Sequence, residues 1–214
     1  MTNVPGLYAI GECDFQYHGA NRLGANSLLS CVYAGQLGGP ARVAWARDQD
    51  RATPDAPSSV FDAAERRWTD HFASLARRDG RENPYALWDE MGHWMLENVT
   101  IVRENATLDA TDAKLLELRE RWHQASVLDH SEWSNAPLSF LNQLWNMLEL
   151  ARVVTIGARR RDESRGAHFK PEFPRRDDAH WLKTTVASHG ADGPRFRYDP
   201  VDTSLVSPVE RKYD

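Results

Sequence analysis

The sequence has only two cysteines among its 214 residues, Cys13 and Cys31. Two cysteines are too few for a disulfide framework and are usual in a reducing compartment. No stretch approaches the ~18 consecutive apolar residues of a membrane-spanning helix. The opening decapeptide, MTNVPGLYAI, also lacks the basic region and apolar core of a signal peptide. The sequence therefore predicts neither a disulfide-stabilised secreted fold nor direct membrane insertion.

An excess of basic charge is also missing. The net charge of -5 argues against nonspecific nucleic-acid binding, which needs a basic surface. The eight histidines show no metal-ligand spacing, and there is no HExxH or paired CxxC, so no metal site is predicted. Hydrophobic residues at 41% and charged residues at 27% are ordinary for a globular chain with one core.

Apolar residues recur at helical spacing in four segments of the central part of the chain. Ser59 is predicted to cap the first helix and Gly80 to mark its end. Asn83 and Pro84 form a cap and first position for the second, and Thr111 is predicted to open the third. Four such helices with short connections predict an antiparallel bundle. The apolar stripes are Phe61, Ala64, Trp68, Phe72 and Leu75; Leu87, Met91, Trp94 and Met95; Leu115, Leu118 and Trp122; and Leu138, Leu141, Trp145 and Leu148.

The two ends of the chain differ from this helical centre. Residues 6–10 suit a buried strand, and Asn26 is predicted to cap a buried helix that weakens at Gly38-Gly39-Pro40. Residues 48–59 are rich in polar residues and proline and are predicted to be a linker. After Gly166 prolines recur, and residues 181–186 and 196–198 are predicted short strands of a hairpin. The predicted divisions are residues 1–48, 59–162 and 163–214.

The segment HGANRLGANSLL, residues 18–29, carries the strongest chemical signal. An arginine guanidinium can hold a carboxylate through two parallel hydrogen bonds. A helix N-terminus offers free N–H groups and the positive end of a dipole. Arg22 lies four residues before Asn26, where the helix is predicted to start. The pattern therefore favours a site for an anionic substrate beside an electron-accepting ring.

Three segments resemble the flavoprotein subunit of succinate dehydrogenase and fumarate reductase. They are GLYAIGECDFQYHGANRLGANSLLSCVYAGQLGG from Gly6, RGAHFKPEFPRRDDAHWLKTT from Arg165, and FRYDPVDTSLVSPVERKYD from Phe196. The resemblance covers only the C-terminal part of such a subunit, and the chain contains no GxGxxG turn for the ADP half of FAD. We therefore expect a fragment or a truncated reading frame. The fold class it implies is mainly α: the remnant strand, loop and helix of a flavin-binding domain, then an antiparallel helical bundle with an extended tail and a small β-hairpin.

The resemblance implies roles for individual residues. Arg22 matches the family's arginine for a substrate carboxylate, and Glu12, Ala25, Ser27 and Leu28 match positions that contact FAD. For an isolated arginine a surface ion pair would be the better interpretation, but the surrounding match favours substrate binding. His18 is interpreted as a structural histidine of the loop rather than a catalytic one, although it could orient Arg22. The resemblance gives no chemical role for Arg165 and His168, which could pin the tail to the flavin domain or to a partner.

The implied function is FAD-dependent oxidation of succinate to fumarate within the full-length subunit, the fragment alone being inactive. The implied partners are a dicarboxylate substrate, an iron–sulphur subunit and, through it, a membrane anchor. The implied location is the cytoplasmic side of the plasma membrane, held there by those subunits. Two alternatives stay open: a fragment of the related L-aspartate oxidase, and a non-catalytic helical interaction module from a truncated gene. Binding of FAD separates the last from the enzymes.

Overall fold

The computed structural model describes residues 2–14, 18–49, 56–131 and 133–209. Within these ranges the chain is mainly helical with one antiparallel hairpin, as predicted, and it divides into compact units of residues 1–70 and 71–214. No helix in the described ranges is long and apolar enough to cross a membrane. The elements are a 3₁₀ turn (Gly11–Cys13), α1 (Asn26–Arg47), α2 (Ser58–Ala76), α3 (Pro84–Val99), α4 (Asn105–Trp122), α5 (Ala136–Arg160), α6 (Asp178–Trp181), β1 (Lys183–Ser188) and β2 (Arg195–Pro200).

The core of the second unit lies between α3, α4 and α5, with the last turn of α2 against it. The stripes predicted for α3, α4 and α5 supply most of it, because residues three and four positions apart share a helix face. The stripe predicted for α2 is only partly confirmed: Leu75 is buried and Phe72 packs against the core, but Phe61 and Trp68 are exposed. Trp122 also donates its indole N–H to the Leu141 carbonyl at 2.8 Å, which satisfies the one polar atom of a buried ring. The fully buried side chains at its centre are Leu87, Leu115, Leu118, Leu141, Leu144 and Leu148.

Side-chain caps fix the starts of two bundle helices. Asn83 accepts the Tyr85 N–H at 2.9 Å, and Pro84 follows at the first helical position, so this predicted start is confirmed. Asn135 accepts the Leu138 N–H at 2.9 Å at the start of α5. α5 ends at Arg160.

The prediction that Thr111 opens a helix is wrong. α4 begins six residues earlier, at Asn105, and Thr111 is buried in its interior with its hydroxyl donating to the Thr107 carbonyl at 2.7 Å. The polar side chain is satisfied inside the helix and needs no cap position. The actual start is stabilised from far away in sequence, because the Asn105 N–H donates to Glu172 Oε1 at 2.8 Å.

The tail returns to the bundle and contains the hairpin of β1 and β2, with Lys183 paired to Pro200 and Ser188 to Arg195. The first strand starts at Lys183 rather than at the predicted Trp181, which belongs to the short helix α6. Asp177 accepts the His180 N–H at 3.1 Å and so caps that helix.

The first unit differs from prediction in three ways. Residues 6–10 pair with no strand in the described part of the chain, and Leu7 and Ile10 are 56% and 46% exposed. A buried strand draws both its hydrogen bonds and its burial from neighbouring strands. α1 passes without interruption through Pro40, and most of its apolar residues, predicted to be buried, are exposed; Ala34 is buried, and Cys31 and Trp45 are half-buried. The predicted linker, residues 48–59, lies partly outside the described residues.

Candidate functional site

A tight turn carries the chain from Arg22 into α1. The Asn26 N–H donates to the Leu23 carbonyl at 3.3 Å, and Ala25 takes a left-handed conformation with φ of 62°. Ala25, not the predicted Asn26, therefore occupies the capping position, and its methyl group makes no capping hydrogen bond. The prediction failed because the left-handed residue turns the chain one position early, which places Asn26 inside the first turn.

The electrostatics of this helix start favour an anionic or electron-rich partner. The first turn of α1 holds no acidic residue and Ala25 provides no side-chain cap, so no charge within the turn offsets the positive end of the dipole. Arg22 and Ala25 are exposed, Ser27 is half-buried and Leu28 is 76% exposed. These four predicted site residues thus lie in one loop and the first turn that follows it.

The fifth predicted residue, Glu12, reaches the same helix through the 3₁₀ turn Gly11–Cys13. Gly11 has φ of 77°, and a methyl group built at its α-carbon would lie 3.0 Å from Cys31 Sγ in α1. Glycine is needed there both for the positive φ and for the close approach. The turn leaves the Glu12 side chain exposed, one residue from this contact.

His18 connects the beginning of the loop to α1. Its Nε2 lies 3.3 Å from Ser30 Oγ, and the Ser30 hydroxyl donates to the Ser27 carbonyl at 2.9 Å. The interpretation of His18 as a hydrogen-bonded loop histidine agrees with this contact. The bond ties residue 18 to the same two helical turns that follow Arg22.

Sequence reasoning missed a cluster of buried charges in the tail. Glu163 has no exposed surface and accepts hydrogen bonds from Arg161 at 2.6 Å and from Arg165 at 2.8 and 2.9 Å. Burial alone would raise the pKa of Glu163, but these bonds and the Asp177 N–H hold it below its usual value. The sequence alone indicated no role for Arg165, and the structure shows one. Arg165 forms ion pairs with Glu163 and with Asp178, and so links two segments of the tail.

His168 lies in the same cluster. Its Nδ1 accepts from Arg103 at 2.6 Å and its Nε2 donates to the Arg161 carbonyl at 3.0 Å. Burial, with the nearby cations of Arg103 and Lys170, lowers the pKa of His168 to about 4. The RGAH segment therefore fastens the tail to the bundle. In the described part of the chain no group of three or more histidine, cysteine or carboxylate side chains could hold a metal ion.

Two family models match different parts of the chain. The family model described as "Fumarate reductase flavoprotein C-term" matches residues 88–213, and the one described as "FAD binding domain" matches residues 1–28. The succinate dehydrogenase flavoprotein subunit of Bacillus subtilis is 48% identical over 100% of this chain and 37% of its own length. The fumarate reductase flavoprotein subunit of Escherichia coli is 36% identical over 99% of this chain and 35% of its own length.

A solved quinol fumarate reductase of Escherichia coli superimposes with a TM-score of 0.88, at 34% identity over 96% of this chain and 35% of the other. The fold and the sequence thus define a C-terminal portion of a large flavoprotein. The chain belongs to the flavoprotein family of succinate dehydrogenases and fumarate reductases, which confirms the predicted resemblance. It spans about a third of the length of the curated relatives that it matches.

Proposed function

We propose that this chain is the C-terminal part of a flavoprotein subunit that interconverts succinate and fumarate with FAD. The observation that carries the proposal is the 48% identity with a succinate dehydrogenase flavoprotein along the whole chain, including the loop of Arg22. Bound FAD would supply the two-electron chemistry that removes hydrogen from neighbouring carbons of the diacid. The residues of this chain would bind and orient the diacid and the flavin.

Arg22 would hold one carboxylate of the diacid. Its guanidinium is exposed, and it stands on a loop that turns directly into α1. A guanidinium presents two parallel N–H groups to a carboxylate, so it fixes the orientation of the substrate as well as its charge. Orientation is the main contribution of a protein to a reaction whose electron chemistry belongs to the cofactor.

The start of α1 and the 3₁₀ turn would hold the flavin. The uncapped first turn, with Ser27 and Leu28, offers backbone N–H groups to an electron-rich ring, and this fits FAD. The left-handed Ala25 would bring the backbone up to the ring. The exposed Glu12 carboxylate would accept hydrogen bonds from hydroxyl groups of the cofactor.

We also propose that residues 1–48 complete a flavin-binding domain, that residues 59–162 form the helical domain, and that residues 163–214 form the tail. Electrons would leave for an iron–sulphur subunit and a membrane anchor, which would hold the flavoprotein on the inner face of the plasma membrane. The quinol in the name of the similar Escherichia coli structure supports an exchange of electrons with a quinone.

A chimera tests the proposed function. The matching C-terminal part of the Bacillus subtilis subunit is replaced by residues 1–214, and the gene is returned to a strain that lacks this subunit. We expect a flavoprotein that retains FAD and restores succinate oxidation. Arg22→Ala should abolish turnover while the flavin absorbance is kept, and Arg22→Lys should recover only part of it, because a point charge cannot replace the fork.

Three results would contradict the proposal or its assignment of Arg22. A chimera that folds without flavin would favour the helical interaction module. A chimera that holds flavin but oxidises L-aspartate rather than succinate would favour the aspartate oxidase. Turnover unchanged by Arg22→Ala would remove Arg22 from the substrate site.

A further inference from the structure

The loop of residues 18–25 is fastened to α1 at both ends. At its beginning, His18 Nε2 lies 3.3 Å from Ser30 Oγ. At its end, the Asn26 N–H donates to the Leu23 carbonyl at 3.3 Å. Arg22 lies between the two fastenings. The bond at the end of the loop joins two backbone groups and does not depend on side-chain identity, whereas the bond at its beginning runs through the His18 imidazole.

The direction of the hydrogen bond at the beginning of the loop follows from its neighbour. The Ser30 hydroxyl has one proton, and it donates that proton to the Ser27 carbonyl at 2.9 Å. The oxygen of Ser30 is then the acceptor toward His18, so His18 must donate from Nε2. The relay His18–Ser30–Ser27 therefore ends on the carbonyl of a residue in the first turn of α1, the turn proposed to face the flavin.

We propose that His18 is a positioning residue for Arg22. Its bond to Ser30 fixes the loop against α1, so that the guanidinium and the helix start keep one mutual arrangement while the diacid binds. The inference rests on the proposed function and deepens it. His18 itself touches no reacting atom in this arrangement and acts through the loop.

The consequence is a specific kinetic pattern. A loosened loop lets the guanidinium sample positions that cannot bind the carboxylate. Part of the binding free energy of the diacid is then used to restore the productive position, which lowers the apparent affinity. The loss should appear in KM and in the affinity for any dicarboxylate. The retention of FAD should not change, because Ser27, Leu28 and Glu12 stay where they are.

The test uses the chimeric flavoprotein with His18→Ala, His18→Gln, Ser30→Ala and the double variant His18→Ala/Ser30→Ala. Malonate is the binding probe, since it is a dicarboxylate without two neighbouring carbons that could lose hydrogen, and its binding is followed by the flavin absorbance. We expect His18→Ala and Ser30→Ala each to raise the KM for succinate and the Kd for malonate about tenfold, the value of one net hydrogen bond. His18→Gln should restore most of the affinity, because its amide nitrogen can take the place of Nε2.

The double variant should have the same KM and Kd as either single variant, because the two substitutions remove the same hydrogen bond. Additive losses would separate the two residues and overturn the proposal. So would a His18→Ala variant that loses only kcat, or that loses FAD together with affinity. Hydrogen exchange of the amides of residues 18–25 gives a readout without turnover: faster exchange with unchanged malonate affinity would reduce His18 to a purely structural role. A failure of the proposed function would appear differently, as an unmutated chimera without succinate oxidation.

Discussion

The ammonium nitrogen of Lys170 lies 2.9 Å from Asp162 Oδ1, and the Lys170 side chain has no exposed surface. The same nitrogen donates to Asn105 Oδ1 at 2.6 Å and to the Arg159 carbonyl at 2.9 Å. These oxygens belong to the start of α4, the end of α5 and the residues just beyond it. One buried cation therefore joins the bundle to the tail.

Removing this cation should be costly. Lys170→Met fills a similar volume but removes one donor from each of the three oxygens. Asp162 is 38% exposed and can partly rehydrate, so we expect a loss of about 2–4 kcal/mol in the free energy of unfolding, less than for a fully enclosed pair. Urea denaturation of the chain measures it. Arg197→Ala, in the exposed pair of Arg197 with Asp199, is the control and should cost less than about 1 kcal/mol.

Because of His168, we expect the stability of the chain to decrease in acid. Its pKa is about 4 in the folded chain, below the ordinary 6.5, so between these values the unfolded chain binds a proton that the folded chain excludes. The contribution of His168 to the free energy of unfolding should therefore be complete above pH 6.5 and should decrease as the pH falls toward 4. The shift corresponds to a loss of about 3 kcal/mol. His168→Gln, which cannot charge, should flatten the dependence of the free energy of unfolding on pH in this window.

The control for His168 is the exposed His130, since His130→Gln changes the same residue type outside the cluster. This variant should keep the slope of the parent chain between pH 6.5 and 4. An equal flattening by both substitutions would show that the slope belongs to histidines in general and not to the buried site.

What sequence could predict depends on the range of the interaction. The start of α3 was predictable because Asn83 caps it two residues away, and the buried faces of α3, α4 and α5 follow from helical spacing alone. The start of α4 was not, because its partner, Glu172, lies 67 residues further along the chain. The burial of Lys170 was not predicted either, because its partner Asn105 lies 65 residues away in the sequence. At the candidate site, residue types and order indicated Arg22, but only coordinates revealed the left-handed Ala25 and the bond from His18 to Ser30.

At Gly80 the structure changes the interpretation that the sequence favours. The sequence marks it as the end of a helix, but α2 already ends at Ala76. A methyl group at Gly80 would lie 1.9 Å from the Gln124 carbonyl oxygen, beside the bond from the Ser126 hydroxyl to the Gly80 carbonyl. Gly80→Ala should therefore cost about 3 kcal/mol or more by forcing the two segments apart.

The matched control is Gly92→Ala, which makes the same change within α3, where a methyl group would meet nothing within 4 Å. Alanine is the better helix former, so this variant should gain about 0.5–1 kcal/mol. Thermal unfolding of the two variants should shift in opposite directions from the parent. Equal shifts would contradict the close approach of Gly80 to Gln124.

Ala25 offers a test of the turn itself. A residue with a β-carbon at φ of 62° carries a strain of about 1 kcal/mol, which glycine does not, while a β-branched residue carries more. In the chimeric flavoprotein, Ala25→Gly should leave the temperature of FAD release unchanged or raise it, and Ala25→Val should lower it. Ala41→Val, at an exposed position inside α1, adds the same atoms without a left-handed backbone and should change it little. If Ala25→Val and Ala41→Val released FAD at the same temperature, the turn at residue 25 would have no part in holding the cofactor.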